Sequence, residues 1–318
     1  MKITLTLIVT LITLVSQAQP VPALEENIPY LVTFGAQGER SWGDDDFTQI
    51  FFFAIPKSHK TPVYIRVYDP GTGGNIDEKK GDFNTSTNFS IYGGTGCITT
   101  KDARKINPEG DYRSGNLLAA KDFGDELDEE WYTFGPFNPT SGELSEQYGG
   151  YIFKVIAQGT SGNDGNLYKY YLSTSPTENE KIEGGNAFTF EYTFRMHSDP
   201  NEVAHIYPYV DKYVISLKQA NFDYDSDGDI VIVTNVRLSI RIILSGNDNW
   251  GKSEHKILEK EKESSFDIQF QKNKDIVIKN NNVTFYVTNQ YDEALPFFTV
   301  PIGGIPKPSS SIKLVPNN

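Results

Sequence analysis

Short apolar runs alternate with turn chemistry along most of the chain. Val63, Ile65 and Val67 alternate with Tyr64, Arg66 and Tyr68 until Asp69-Pro70-Gly71 ends the run. That period of two is the mark of a strand with one buried face. Thr48 to Ile55 is a β-branched and aromatic run stopped by Pro56, and Trp131 to Phe134 stops at Gly135-Pro136. Tyr151 to Ala157 lies between Gly149-Gly150 and Gly159, and residues 167–172 are almost all Tyr, Leu and Lys. No segment sustains a helical period.

The same grammar resumes at Ala187 to Phe194 and continues through Tyr213 to Leu217, Ile230 to Val233, Val236 to Leu244, Ser265 to Phe270, Val283 to Thr288 and Phe297 to Val300. Lys256 to Lys262 is highly charged and predicts one helical turn or a solvated hairpin. Strands this many and this short predict an all-β fold of two tandem antiparallel β-sandwiches, jelly-roll-like. The turn-rich residues around Ser173 to Asn179, with Glu183-Gly184-Gly185, predict where one sandwich hands over to the next. The expected partition is therefore a leader (1–18), a first sandwich (19–175), a linker (176–186), a second sandwich (187–304) and a loose tail (305–318).

The leader reads as a secretory signal. Lys2 supplies a short positive start, residues 3–15 are apolar with interspersed Thr, and Ser16-Gln17-Ala18 puts small residues where a signal peptidase needs them. Cleavage after Ala18 predicts a mature chain starting at Gln19 and exported to the periplasm, an outer-membrane-associated position or the exterior. No cysteine lies near the cleavage point, so no lipid anchor is expected, and no second long apolar run predicts a membrane span.

Charge narrows the partners. With 42 acidic residues against 29 basic ones the formal charge is −13. That argues against nucleic acid and anionic membrane surfaces and is compatible with divalent cations. Cys97 is the only cysteine, so no intrachain disulfide is possible, and its expected role is a small buried apolar residue. The four histidines, His59, His197, His205 and His255, have no zinc-site spacing, and no nucleophile elbow or phosphate loop is visible.

One segment carries a chemical signal. Asp223, Asp225, Asp227 and Asp229 alternate with Tyr224, Ser226 and Gly228. The D-x-D-x-D-G spacing points hard oxygen ligands at one centre and predicts a calcium site made by these four residues. The loop departs from an EF-hand. Position 9 is Val231, position 12 is Thr234, and the following run reads as a buried strand. The competing reading is an acidic turn between two strands, since Asp and Gly favour turns. Gly43-Asp44-Asp45-Asp46 and residues 125–130 are further acidic clusters with irregular spacing, expected to be solvated loops. The 18 Tyr, 20 Phe and 3 Trp are expected to fill a β core, with Trp42, Trp131 and Trp250 the candidates for exposed stacking platforms.

Three blocks together resemble the β-rich N-terminal region of OmpA-like envelope proteins of Gram-negative bacteria. They are Pro62-Val63-Tyr64-Ile65-Arg66-Val67-Tyr68-Asp69-Pro70, Trp131 to Phe137, and Gly165 to Ser173. The peptidoglycan-binding OmpA module is missing from the chain. A looser likeness is to calcium-binding sandwiches such as the pre-peptidase C-terminal domain. Neither resemblance supplies a catalytic residue. The combined expectation is an exported, non-catalytic envelope or surface binding or structural protein, stabilised by calcium, with a protein or glycan of the cell envelope as partner. The alternatives are a glycan-binding or glycan-degrading protein and a subunit of an envelope assembly.

Overall fold

The computed structural model describes residues 19–125, 129–276 and 278–308. The expected leader, most of the expected tail and the middle of the 125–130 acidic run lie outside the described residues. The regular structure is antiparallel β-sheet with a few short 3-10 turns. The first half supplies β1 (Tyr30–Phe34), β2 (Thr48–Ile55), β3 (Val63–Tyr68), β4 (Ser86–Gly93), β5 (Asn116–Phe123), β6 (Trp131–Phe137), β7 (Glu143–Ser145), β8 (Gly150–Ser161) and β9 (Gly165–Ser173). The second supplies β10 (Asn186–Thr189), β11 (Glu191–Arg195), β12 (Val203–Ile206), β13 (Tyr209–Val210), β14 (Ser216–Phe222), β15 (Gly228–Val233), β16 (Ile240–Arg241), β17 (Trp250–Lys256), β18 (Ser264–Ser265), β19 (Asp267–Lys272), β20 (Asn282–Thr288) and β21 (Phe297–Phe298).

An eight-stranded sheet in the order β17-β14-β20-β11-β1-β9-β3-β6 runs through the whole molecule. At one end it is backed by the seven-stranded sheet that contains β21-β10-β2-β8-β4-β5, with β7 beside β8. There Phe51 and Phe53 of β2 meet Tyr170 of β9 at 4.6 and 5.4 Å, and Phe89 of β4 meets Tyr168 edge-on at 5.0 Å. At the other end it is backed by the four-stranded sheet β12-β19-β15-β16. Phe270 of β19 receives Phe194 and Phe285 edge-on, each at 5.1 Å. Two sandwiches thus lie side by side with one layer in common.

The 176–186 segment is consequently not a free linker. β11 pairs with β1, placing Arg195 opposite Tyr30 and Phe194 opposite Leu31, and β10 pairs with β2 over four positions. Local composition reveals turn chemistry but not strand partners. Without β11 and β10, the first sandwich would expose strands β1 and β2 as open edges, which favour unwanted pairing. The segment itself is pinned. Ser173 Oγ donates to the carbonyl of Glu178 and accepts from the amide of Glu180, and Ile182 is buried.

β2 shows why its run is continuously apolar. Phe51, Phe53 and Ile55 face the main core, while Phe52 and Ala54 face a second cluster with Tyr148, Phe188 and Phe298. Both faces are covered, so alternation is lost. Elsewhere the pattern over-reads. Tyr213 and Ile215 are exposed and β14 begins only at Ser216; Leu238 is exposed and only Ile240–Arg241 of the 236–244 run is strand. The charged 256–262 stretch does contain one turn, Glu259–Glu261. Its fully buried Glu261 receives hydrogen bonds from Thr234 and Arg237 at 2.6 Å, and these hold the 234–237 loop off the sheet.

Candidate functional site

The Asp223–Asp229 loop joins β14 to β15. The sharp turn falls at Asp223, Asp225 and Ser226, whose φ values are 56°, 58° and 53°. Gly228 already belongs to β15, and a Cβ there would stand 1.7 Å from the carbonyl oxygen of Gln271. The glycine therefore serves strand approach and not the turn. Asp227 is fully buried, and its Oδ2 accepts from the Lys272 ammonium and from Asn281 Nδ2 at 3.1 Å. Asp229, half-buried, pairs with Arg241 at 3.2 Å, while Asp223 Oδ1 accepts from the amide of Asp248 at 2.6 Å. Burial pushes Asp223 up to about 7 and also raises Asp225, which lies beside Asp227. Asp223, Asp227 and Asp229 thus have separate partners, Asp227 Oδ1 is buried without one, and among the described residues the four carboxylates do not form a converging group. The lysine ammonium already stands where a cation would neutralise Asp227.

Converging carboxylates occur instead at Asp44, Asp45 and Asp46, whose ligand oxygens lie within 4.8 Å of one another. The expected solvated loop is replaced by a partly sunken one. Asp44 is buried and accepts from the amides of Phe34 and Phe47, each at 2.8 Å. Glu191 of β11 approaches the same group from the second sandwich. Asp46 Oδ2 and Glu191 Oε1 are both buried without a partner. Burial first, and mutual repulsion after it, raise Asp46 and Glu191, and Asp44 is pushed up to about 7. These oxygens are hard donors of the kind calcium takes.

Beside this cluster lies a groove of about 760 Å³ where the two sandwiches meet. The first sandwich's wall carries Lys101, Arg104 and Lys105 with Glu109 among them, and the second's carries Asp211, Asp292 and Glu293. The floor is aromatic: Tyr148, Phe190 and Phe298, with Tyr148 stacked on Phe188 at 4.8 Å. Tyr209 lines the groove and is half-buried. Arg104 Nε is buried without a partner. A narrow cleft lined by Asp46 and Glu191 shares Lys105, Ile106 and Phe190 with the groove, so the acidic cluster sits at its end. Reading the sequence passed over these residues. The basic spacing of Lys101, Arg104 and Lys105 was the one available signal, and their facing carboxylates lie about 110 residues (Asp211) and about 190 residues (Asp292, Glu293) along the chain, in keeping with the general rule that grooves form between units.

The remaining candidates are structural. Cys97 is fully buried, donates to the Tyr92 carbonyl at 3.5 Å, and is pushed up to about 12 by burial, the opposite of an activated thiol. His205 Nδ1 pairs with Asp267 at 2.7 Å, but no serine or cysteine joins that pair among the hydrogen bonds of the described residues. Trp42 lies under Lys80 at 3.8 Å, Trp250 between Phe222 and Tyr286 at 5.2 Å from each, and Trp131 under Arg66 at 4.9 Å. None is a bare platform. No helix of the described residues is long and apolar enough to cross a membrane.

No family model matches the chain, and no curated protein matches it. Among solved structures it is similar to the N-terminal CBM22-1-CBM22-2 tandem domain from Paenibacillus barcinonensis Xyn10C, at 12% identity and a TM-score of 0.17, over 75% of this chain and 79% of that one.

Proposed function

We propose that the chain is an exported, non-catalytic binding protein of the cell envelope or surface that holds a hydroxyl-rich glycan in the groove between its sandwiches. The supporting observation is the make-up of that groove: a wall rich in cationic donors, a facing wall rich in carboxylates, and aromatic rings beneath. A sugar ring offers hydroxyls on its edges and C–H bonds on its faces, and each needs a matching surface. The size falls in the range of ligand sites, which favour junctions between domains. Calcium at the acidic cluster is proposed as a stabilising ion, supported by the unpartnered oxygens of Asp46 and Glu191. Export rests on the character of residues 1–18.

The edge-on assembly reading has less support. β17, at the edge of the large sheet, presents Lys252, Glu254 and Lys256 outward, and such charges blunt strand addition.

The test is calorimetric titration with soluble neutral, uronic-acid and amino-sugar oligosaccharides. Arg104→Ala should weaken the binding glycan by tenfold or more, because a hydrogen bond to a charged group is worth about 1.5–3 kcal/mol. Binding that is indifferent to Arg104→Ala and to Tyr209→Ala would remove the groove from the proposal.

A further inference from the structure

A second cavity, of about 260 Å³, lies at the other end of the first sandwich, between the segment 20–31 and strands β6 and β9. Its walls are mostly apolar or aromatic, Pro22, Ile28, Tyr30, Trp131 and Tyr171 among them, with Lys169 and Asn179 also in the lining. The segment that closes it is fixed. Val21 lends its carbonyl to the amide of Leu172 at 3.0 Å, and Tyr207 donates to the Glu25 carbonyl at 3.0 Å.

One polar group inside this lining stands out. Glu26 is 4% exposed and its Oε1 is buried with no hydrogen-bond partner. The Tyr192 hydroxyl lies against the carboxyl and is bonded to the Tyr170 hydroxyl at 2.9 Å. Those groups hold one side of the carboxyl and leave Oε1 unsatisfied. Leaving a buried acceptor unpaired costs about 1–3 kcal/mol, and natural folds seldom tolerate it without a use. Burial pushes the carboxyl up to about 8.

The chemistry of the occupant follows by elimination. A purely apolar molecule leaves Oε1 unpaired. A carboxylate would find no cationic partner in the carboxyl of Glu26, whose ionisation burial disfavours. A sugar would bring many hydroxyls to a wall with few polar partners. An ammonium satisfies the carboxyl, and aromatic faces attract cations. The rings at the mouth already show that attraction: Lys169 Nζ stands 4.5 Å over Tyr30, and Arg66 stands 4.9 Å over Trp131.

We propose that this cavity is a binding site for a small amine carried on an apolar ring or short chain, with its ammonium paired to Glu26 and its apolar body among Tyr30, Trp131 and Tyr171. The site is separate from the groove and does not depend on the glycan reading.

The experiment compares two probes of equal shape, phenethylamine and phenethyl alcohol, by ligand-observed saturation-transfer NMR and by calorimetry on the wild-type chain. The amine should bind at least tenfold more tightly than the alcohol. Glu26→Gln keeps the shape and removes the carboxyl that an ammonium would draw into its ionised form, so it should abolish that preference while leaving the alcohol unaffected. Equal affinity for both probes in the wild type, or no saturation transfer to the amine at millimolar concentration, overturns the proposal without any variant. A Glu26→Gln protein that folds and retains the full amine preference overturns the role of Glu26.

Discussion

The guanidinium of Arg195 donates to the buried carboxylate of Glu78 at 2.8 Å, across 117 residues of chain. Asn282, opposite Arg195 in the β11–β20 pairing, donates to the same oxygen at 3.0 Å, and Lys80 reaches the other at 2.7 Å. Glu78 belongs to a loop of the first sandwich, whereas Arg195 and Asn282 belong to strands of the second. The shared sheet joins the two units by backbone bonds, and this cluster joins them by charge. A buried carboxylate is tolerable only with donors on both oxygens, and here two of the three come from the other unit.

Glu78→Gln should therefore destabilise the fold by ~3 kcal/mol, because removing the buried partner leaves the half-buried cations Arg195 and Lys80 uncompensated. Urea unfolding followed by both fluorescence and circular dichroism should show one transition at lower denaturant. A loss below about 1 kcal/mol would place the cluster among ordinary surface pairs.

Limited proteolysis offers a second check on the seam. A nick within residues 176–185 should leave the halves associated on gel filtration under native conditions, held by the β1–β11 and β2–β10 ladders. Two separate folded fragments would mean that the shared sheet contributes little.

The sequence announced the class of fold because strand chemistry is local. Period-two alternation in β3 and the apolar run of β2 are visible without knowing any partner. It did not announce β1, β4, β5, β12 or β17, whose runs are short or polar: β17 reads Trp-Gly-Lys-Ser-Glu-His-Lys and is held by pairing to β14. The groove was hidden for a related reason. Arg104 and Glu293 face each other only because β10 and β21 add to the edge of β2, a long-range fact. The acidic loop was legible as composition and misleading as geometry. Alternate aspartates give no hint that Lys272 and Arg241 will fold against Asp227 and Asp229. Glu26, in an unremarked stretch between prolines, left no mark at all.

Calcium should discriminate between the two acidic regions. Millimolar calcium is expected to raise the melting temperature of the wild type, by the equivalent of about 2.7 kcal/mol at a hundredfold excess over Kd. Asp45→Asn with Glu191→Gln should abolish the rise, while Asp225→Asn should leave it in place. Were Asp225→Asn to abolish it instead, the ion would bind the 223–229 loop and displace Lys272 from Asp227. Melting curves unmoved by calcium would leave both clusters without metal.

The pH dependence of stability carries the signature of Glu26. Its carboxyl titrates at about 8 in the fold against 4.5 for the ordinary group, because burial disfavours the charged form. The fold thus prefers the protonated acid. Its contribution is whole below about pH 4.5 and is lost as pH rises through about 8, at roughly 1.4 kcal/mol per pH unit across that window. Glutamine has no proton to lose. Glu26→Gln should match the wild type near the acid end of the window and grow steadily more stable than it toward the alkaline end. Asp77 also rises to about 8 and Asp44 and Asp69 to about 7, but they are common to both proteins and cancel in the difference. Urea unfolding at four pH values across the window measures this directly. A stability gap that stays constant with pH would mean that Glu26 titrates like an exposed carboxylate, and that its oxygen is in contact with water.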